Sequence, residues 1–96
     1  MLVRERDTPE GLLVAVCDEE CLGETYGNGD VSLTVTEEFY GGDEADADEV
    51  VDSLTRASVA NLVGEECVTV AIEAGLVDEE RVLDLGDALH AQLLWL

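Results

Sequence analysis

Three cysteines and a single histidine, Cys17, Cys21, Cys67 and His90, are the side chains of this chain best suited to chemistry. The spacing of Cys17 and Cys21 is compatible with metal ligation, and Cys67 with His90 would complete a Cys₃His zinc set. Structural zinc sites usually use two short-spaced pairs, however, and only one is present. Cys17 closes an apolar run and Cys67 stands near the start of an apolar helix, positions where thiols pack as small hydrophobes. Cys67 and His90 also form the one thiol–imidazole combination available for nucleophilic catalysis. A helix N-terminus would activate that thiol, but Glu65 and Glu66 beside it act in the opposite sense. We therefore assign no metal ligand, no cofactor and no catalytic residue, and read the thiols as packed. An odd number of cysteines in a chain read as cytoplasmic does not indicate a disulfide framework.

Two further chemistries fail on specificity. Gly64 leads from a strand into a helix, an arrangement that favours anions. One glycine is not a phosphate loop, and Glu65 and Glu66 already occupy the positive end of the helix dipole. Paired carboxylates carry no information when the chain holds 24 acidic residues. The acidic clusters at 43–49 and 78–80 do not match a calcium loop and read as solvated faces.

Polar residues inside apolar runs are more informative. Asn61 lies mid-strand between Ala60 and Leu62, where amides are unfavourable. His90 and Gln92 are two apart on a strand and share a face, with Ala91, Leu93 and Trp95 on the other. We expect Asn61, His90 and Gln92 to converge near Phe39, Tyr40, Gly41 and Gly42, forming a spot that hydrogen-bonds and stacks a base or small ligand. The competing interpretation is a satisfied network that fixes strand register, or plain solvent exposure.

The elements that position these residues are legible from pattern. The centre is residues 59–77, VANLVGEECVTVAIEAGLV: a buried strand over 59–63, a pivot at Gly64, and a helix closed by Gly75. Residues 2–6 and 12–17 form a hairpin about Asp7-Thr8-Pro9-Glu10-Gly11, the second strand being apolar on both faces and hence central. Asp18 caps a single turn through Leu22, and Gly27-Asn28-Gly29 is a turn. Residues 31–36 alternate, with Val31, Leu33 and Val35 inward. An acidic segment leads into a helix ending near Ala57, whose stripe is Val50, Val51, Leu54 and Ala57. Short strands follow over 82–85 and 90–96. The order β-β-β-α-β-α-β-β predicts one α+β domain spanning residues 1–96, with a mixed sheet and two helices. Two strand–helix–strand crossovers make part of the sheet parallel.

Charge sets the environment. Twenty-four acidic residues face four arginines and no lysine, for a net charge of -20. The acids run through the whole chain beside a normal apolar pattern, so we read them as a surface adapted to concentrated salt in a salt-accumulating archaeon. At ~1 M salt the screening length is about 3 Å and surface repulsion fades. No apolar run approaches the roughly 18 residues of a membrane span, and the N-terminus lacks a signal core. A cytoplasmic location is expected, with neither membrane nor DNA as partner. RNA binding through stacking and hydrogen bonds is compatible with strong salt, where counterion release contributes little.

The segments GLLVAVCDEECLG (11–23), EEFYGG (37–42), ANLVGEECVTVAIEAGLVDEE (60–80) and HAQ (90–92) together resemble an uncharacterised archaeal family, domain-of-unknown-function family 424. The resemblance covers nearly the whole chain. It implies a single small domain without assigned catalytic residues, and a housekeeping role associated with translation and RNA-processing genes. One departure is Leu89, where the family pattern places a proline before His-Ala-Gln. The expectation is a non-enzymatic accessory protein that binds RNA or a ribonucleoprotein. The alternatives are a small-metabolite enzyme or sensor using Asn61, His90 and Gln92, and a structural subunit that docks through its C-terminal strand.

Overall fold

The structure is a computed structural model that describes residues 1–94, with Asn28 described by its backbone. The first hairpin is β1 (Leu2–Thr8) and β2 (Gly11–Cys17), paired from Leu2↔Cys17 to Thr8↔Gly11. The chain then makes one 3-10 turn at Glu19–Cys21 and a separate two-stranded ribbon, β3 (Thr25–Asn28) and β4 (Val31–Thr34). Helix α1 (Glu37–Tyr40) is one turn long, and Thr36 Oγ1 accepts the Phe39 N–H at its start. β5 (Asp43–Glu44) pairs with β1, α2 (Ala47–Arg56) follows, then β6 (Val59–Val63), α3 (Glu65–Glu73), β7 (Leu83–Asp84) and β8 (Leu89–Leu94).

Six strands form one mixed sheet in the order β5-β1-β2-β6-β8-β7. Only β2 and β6 pair in parallel; the other neighbours are antiparallel. The first crossover, through α2, therefore gives a parallel pair. The second, through α3, is split: β7 runs in the direction of β6, and β8 lies between them, antiparallel to both. Both longer helices cover one face. Val14, Val16, Ala60, Leu62, Ala91 and Leu93 meet Val50 and Leu54 of α2 and Cys67, Val68 and Ala71 of α3 in one buried cluster. Among the described residues no helix is long and apolar enough to cross a membrane.

Several local expectations change. The strand foreseen over 31–36 belongs to the ribbon rather than the main sheet, and its turn falls at Gly29-Asp30. Val31 sits at the tip and is 48% exposed, not inward, whereas Val35 is buried at the base. Residues 39 and 40, beyond the end of that strand, close a helical turn. Asp43 and Glu44 add an edge strand ahead of α2, and the α2 N-terminus is fixed by a capping box between Asp46 and Glu49. The last strand begins at Leu89; its foreseen end at Trp95 and Leu96 lies outside the described residues.

Asp18 is the chief correction. Its side chain does not cap the turn that follows it. It reaches across to α3, where Oδ2 accepts the Glu66 N–H at 2.8 Å and Oδ1 the Cys67 N–H at 2.9 Å. It is 2% exposed. The anion position at this helix start is thus filled by the protein's own carboxylate, which is why Gly64 offers no phosphate site.

Candidate functional site

The face of the sheet away from the helices is a grid set by strand register. One row reads Leu2, Cys17, Val63, His90, Leu83; the next Arg4, Ala15, Asn61, Gln92; the third Arg6, Leu13, Val59, Leu94. Residues 18–40 cover part of it: Ala15, Cys17 and Val63 are buried under Cys21, Val35 and Tyr40. Over β6 and β8 the face stays open. Val59, Asn61 and His90 are half-buried, and Gln92 and Leu94 exposed.

Asn61 and Gln92 are direct partners across β6 and β8, which puts their Cβ atoms about 5 Å apart. His90 lies one row away on the same face. Its Nδ1 is 2.9 Å from the Leu62 carbonyl oxygen. A carbonyl can only accept, so Nδ1 carries the proton and, in the neutral ring, Nε2 is left as an acceptor. Among the described residues the Asn61 and Gln92 amides have no hydrogen-bond partner. The structure thus brings these three residues together, and shows no closed network among them.

The aromatic–glycine segment lies on the same face but elsewhere. Helix α1 sits over β1 and β2. Arg6 donates to the Phe39 carbonyl at 3.1 Å and to the Glu38 carbonyl, and Arg4 to the Gly41 carbonyl at 3.0 Å. Phe39 is half-buried, with the Arg6 guanidinium 5.0 Å from its ring centroid. Tyr40 is buried to 3% exposure, and burial pushes its phenol up to about 12. Gly42 backs onto β1 so closely that a Cβ would meet the Val3 carbonyl oxygen at 2.1 Å. β1 and β8 are three strand spacings apart in this sheet, roughly 14 Å. Gly41 and Gly42 therefore flank the far side of the face, and the Tyr40 ring is packed rather than presented.

Surface clefts lie away from Asn61 and His90. One of about 710 Å³ runs beside β1, β5 and α2, lined by Glu5, Asp43, Glu44 and Asp48 with Arg4 and Arg56. Another of about 360 Å³ lies between residues 75–81 and Gln92–Leu94.

The cysteines do not assemble a centre. Among the described residues no three His, Cys, Asp or Glu side chains group as metal ligands. Cys17 and Cys21 belong to the cluster on the ribbon side of the sheet, Cys67 to the cluster under the helices. Burial is the main cause that raises all three thiols, Cys17 to about 11, and for Cys67 the Asp18 carboxylate adds to it. These are poor nucleophiles at neutral pH. A thiol raised in the folded state holds its proton there after the unfolded chain has lost it. Stability from this source is full below about pH 9 and falls as pH rises through the folded values. Cys17 alone predicts a loss of about 1 kcal/mol between pH 8 and pH 10, and Cys67 and Cys21 add in the same direction. Denaturation curves at the two pH values check this; equal stabilities would refute it.

What sequence reasoning missed is the composition of the open face. The thirteen grid residues of β1, β2, β6, β8 and β7 and their neighbour Thr8 include no Asp or Glu, although acids make up 24 of 96 residues; Glu44 of β5, opposite Leu2, stands at the far edge of the first row. Two of the four arginines, Arg4 and Arg6, are on it. The signal was present in the alternation of each strand, but only the register joins the strands into one surface.

A comparison with curated proteins gives no match. A crystal structure of an uncharacterized conserved protein from Methanopyrus kandleri is similar, with a TM-score of 0.79 and 25% identity, covering 99% of this chain and 92% of that one. Over residues 5–96 the sequence matches a family described as "Protein of unknown function (DUF424)", and the chain belongs to that family.

Proposed function

We propose that the protein is a non-enzymatic accessory protein of archaeal translation or RNA processing, and that it holds unpaired RNA on the open face of its sheet. The observation that carries this reading is the acid-free strip in a chain of net charge -20. A polyanion is repelled by nearly every other surface of this molecule. On the strip, Asn61 and Gln92 present free amides and His90 a free ring acceptor, the groups that read the edges of splayed bases. An open strip also suits an extended strand better than a metabolite, which needs enclosure. Stacking on Tyr40 does not contribute, because that ring is buried. The arginines on the face are already committed to carbonyl oxygens. Contacts of this kind release few counterions, so binding persists in the strong salt for which the acidic surface is suited.

The test is a pull-down of tagged protein from its host in native high salt, with RNA sequencing and mass spectrometry of what is recovered. Wild type is expected to recover specific RNA or ribosomal components. At about 1 kcal/mol per lost hydrogen bond, Asn61→Ala with Gln92→Ala should lower recovery about thirtyfold while circular dichroism is unchanged. Protein that emerges free of RNA and ribonucleoproteins would refute the reading.

A further inference from the structure

The outer edge of β8 is only half used. β7 pairs with Leu89 and His90 and stops there. The direction of each backbone group along β8 follows from two bonds. The Gly64 N–H donates to the Leu89 carbonyl, which turns Leu89 toward β6, and the Leu85 N–H donates to the Ala88 carbonyl, which turns Ala88 toward β7. In an antiparallel ladder these directions alternate by residue. Ala91 and Leu93 therefore spend their backbone groups on β6, and Gln92 and Leu94 aim theirs outward. Among the described residues nothing accepts or donates there. The cleft of about 360 Å³ follows this edge, between Leu76, Val77, Asp78 and Arg81 on one side and Gln92 and Leu94 on the other.

Unpaired strand edges select an extended strand as their occupant, and soluble proteins guard them with charge, proline or a covering element. The strand itself carries neither proline nor an acidic or basic side chain at its outward positions, and the flanking segment with Asp78 and Arg81 makes no backbone hydrogen bond to it among the described residues. Residues 88–94 carry no charge, and Leu94 is 62% exposed, the most exposed large apolar side chain described. We infer that this edge pairs antiparallel with the same edge of a second copy, making a two-fold dimer with one continuous sheet.

Charge singles out this partner. Two chains of net charge -20 can approach only where acids are missing. The β8 edge offers an acid-free strand, with one acid and one base, Asp78 and Arg81, in the cleft beside it. Arg81 has no ion pair among the described residues. Antiparallel pairing of outward residues sets Gln92 opposite Leu94 of the partner subunit, and Leu94 opposite the partner's Gln92, with the axis at Leu93. That axis is normal to the sheet, so both open faces lie on the same side and the acid-free strip doubles in length. The dimer follows from the edge alone, and stands whether or not RNA occupies that strip.

Sedimentation velocity in about 1 M salt, where charge repulsion is screened, tests it. Wild type is expected to be dimeric at micromolar concentration. Gln92→Pro removes an outward N–H without touching the β6 ladder, a place where an edge strand tolerates proline. It should weaken the dimer at least tenfold, whereas Asn61→Ala, on the same face but off the edge, should not. Hydrogen exchange of the Gln92 amide gives a second readout that needs no variant: protection should fall on dilution. A monomeric wild type, a Gln92→Pro dimer of unchanged affinity, or a Gln92 amide equally fast at all concentrations would overturn the inference.

Discussion

Gly64→Ala is expected to destabilise the protein by about 3 kcal/mol or more, enough to unfold a domain of this size under many conditions. Gly64 adopts φ 122 and ψ 146, a conformation nearly closed to residues with a Cβ. A Cβ added there would also lie 2.3 Å from Asp18 Cγ. The carboxylate cannot yield cheaply. It is buried, and both of its oxygens satisfy N–H groups at the start of α3. Backbone strain costs about 1–3 kcal/mol, and leaving those donors unpaired about 1–3 kcal/mol more. Asp18→Ala alone should cost about 1–2 kcal/mol as a lost cap. The double variant is diagnostic. Asp18→Ala removes the Cγ and Oδ2 contacts and leaves its Cβ at 2.7 Å, so the clash is partly relieved and the capping bonds are lost only once: Gly64→Ala with Asp18→Ala should cost less than the sum of the two. Thermal denaturation in high salt measures all four proteins. A Gly64→Ala variant within 1 kcal/mol of wild type, or strict additivity, would sink this account.

That contact also marks where sequence reasoning stops. The helix start at Gly64 was readable, because a lone glycine between an apolar run and a 3.6-residue pattern has few other meanings. So were the central β2 and β6, apolar on both faces because helices cover one side and the ribbon segment part of the other. The partner of that helix start was not readable. Asp18 lies 48 residues from Glu66, and its neighbour in sequence is an ordinary turn that invites a local cap. The same limit hid the open face. Asn61, His90 and Gln92 stood out as polar residues in apolar runs, and their common face follows from strand periodicity. That Asn61 stands opposite Gln92, and that Leu13, Val59 and Leu94 complete an acid-free row, depends on pairing order and register. The offset of Gly41 and Gly42 toward β1 has the same origin, since Arg4 and Arg6 tie that segment down from a strand more than thirty residues earlier.

The second large effect is expected from salt. Raising it from about 0.1 M to about 1 M, which shortens the screening length from about 10 Å to about 3 Å, should raise the melting temperature by more than about 10 °C. The folded chain packs 24 acidic residues into a body with a radius of gyration of 12.2 Å. Among the described residues the ion pairs offset only a small part of that charge. Arg56 pairs with Glu5 and Asp52, the N-terminal amine with Glu19, while Arg4 and Arg6 serve carbonyl oxygens instead. Unfolding moves like charges apart, so the repulsion is borne mainly by the native state. For a domain of this length about 1 kcal/mol corresponds to roughly 4–8 °C, so relief of only 2 kcal/mol would give the stated shift. A neutral osmolyte should not reproduce it. Removing charge should: Asp43→Asn with Glu44→Gln, both exposed on the edge strand β5 beside four further acids, ought to raise stability at low salt and flatten the salt dependence. If that variant responds to salt as steeply as wild type, screening is not the cause. The acids would then act through another route, and the contrast between the charged surface and the acid-free strip would lose its electrostatic meaning.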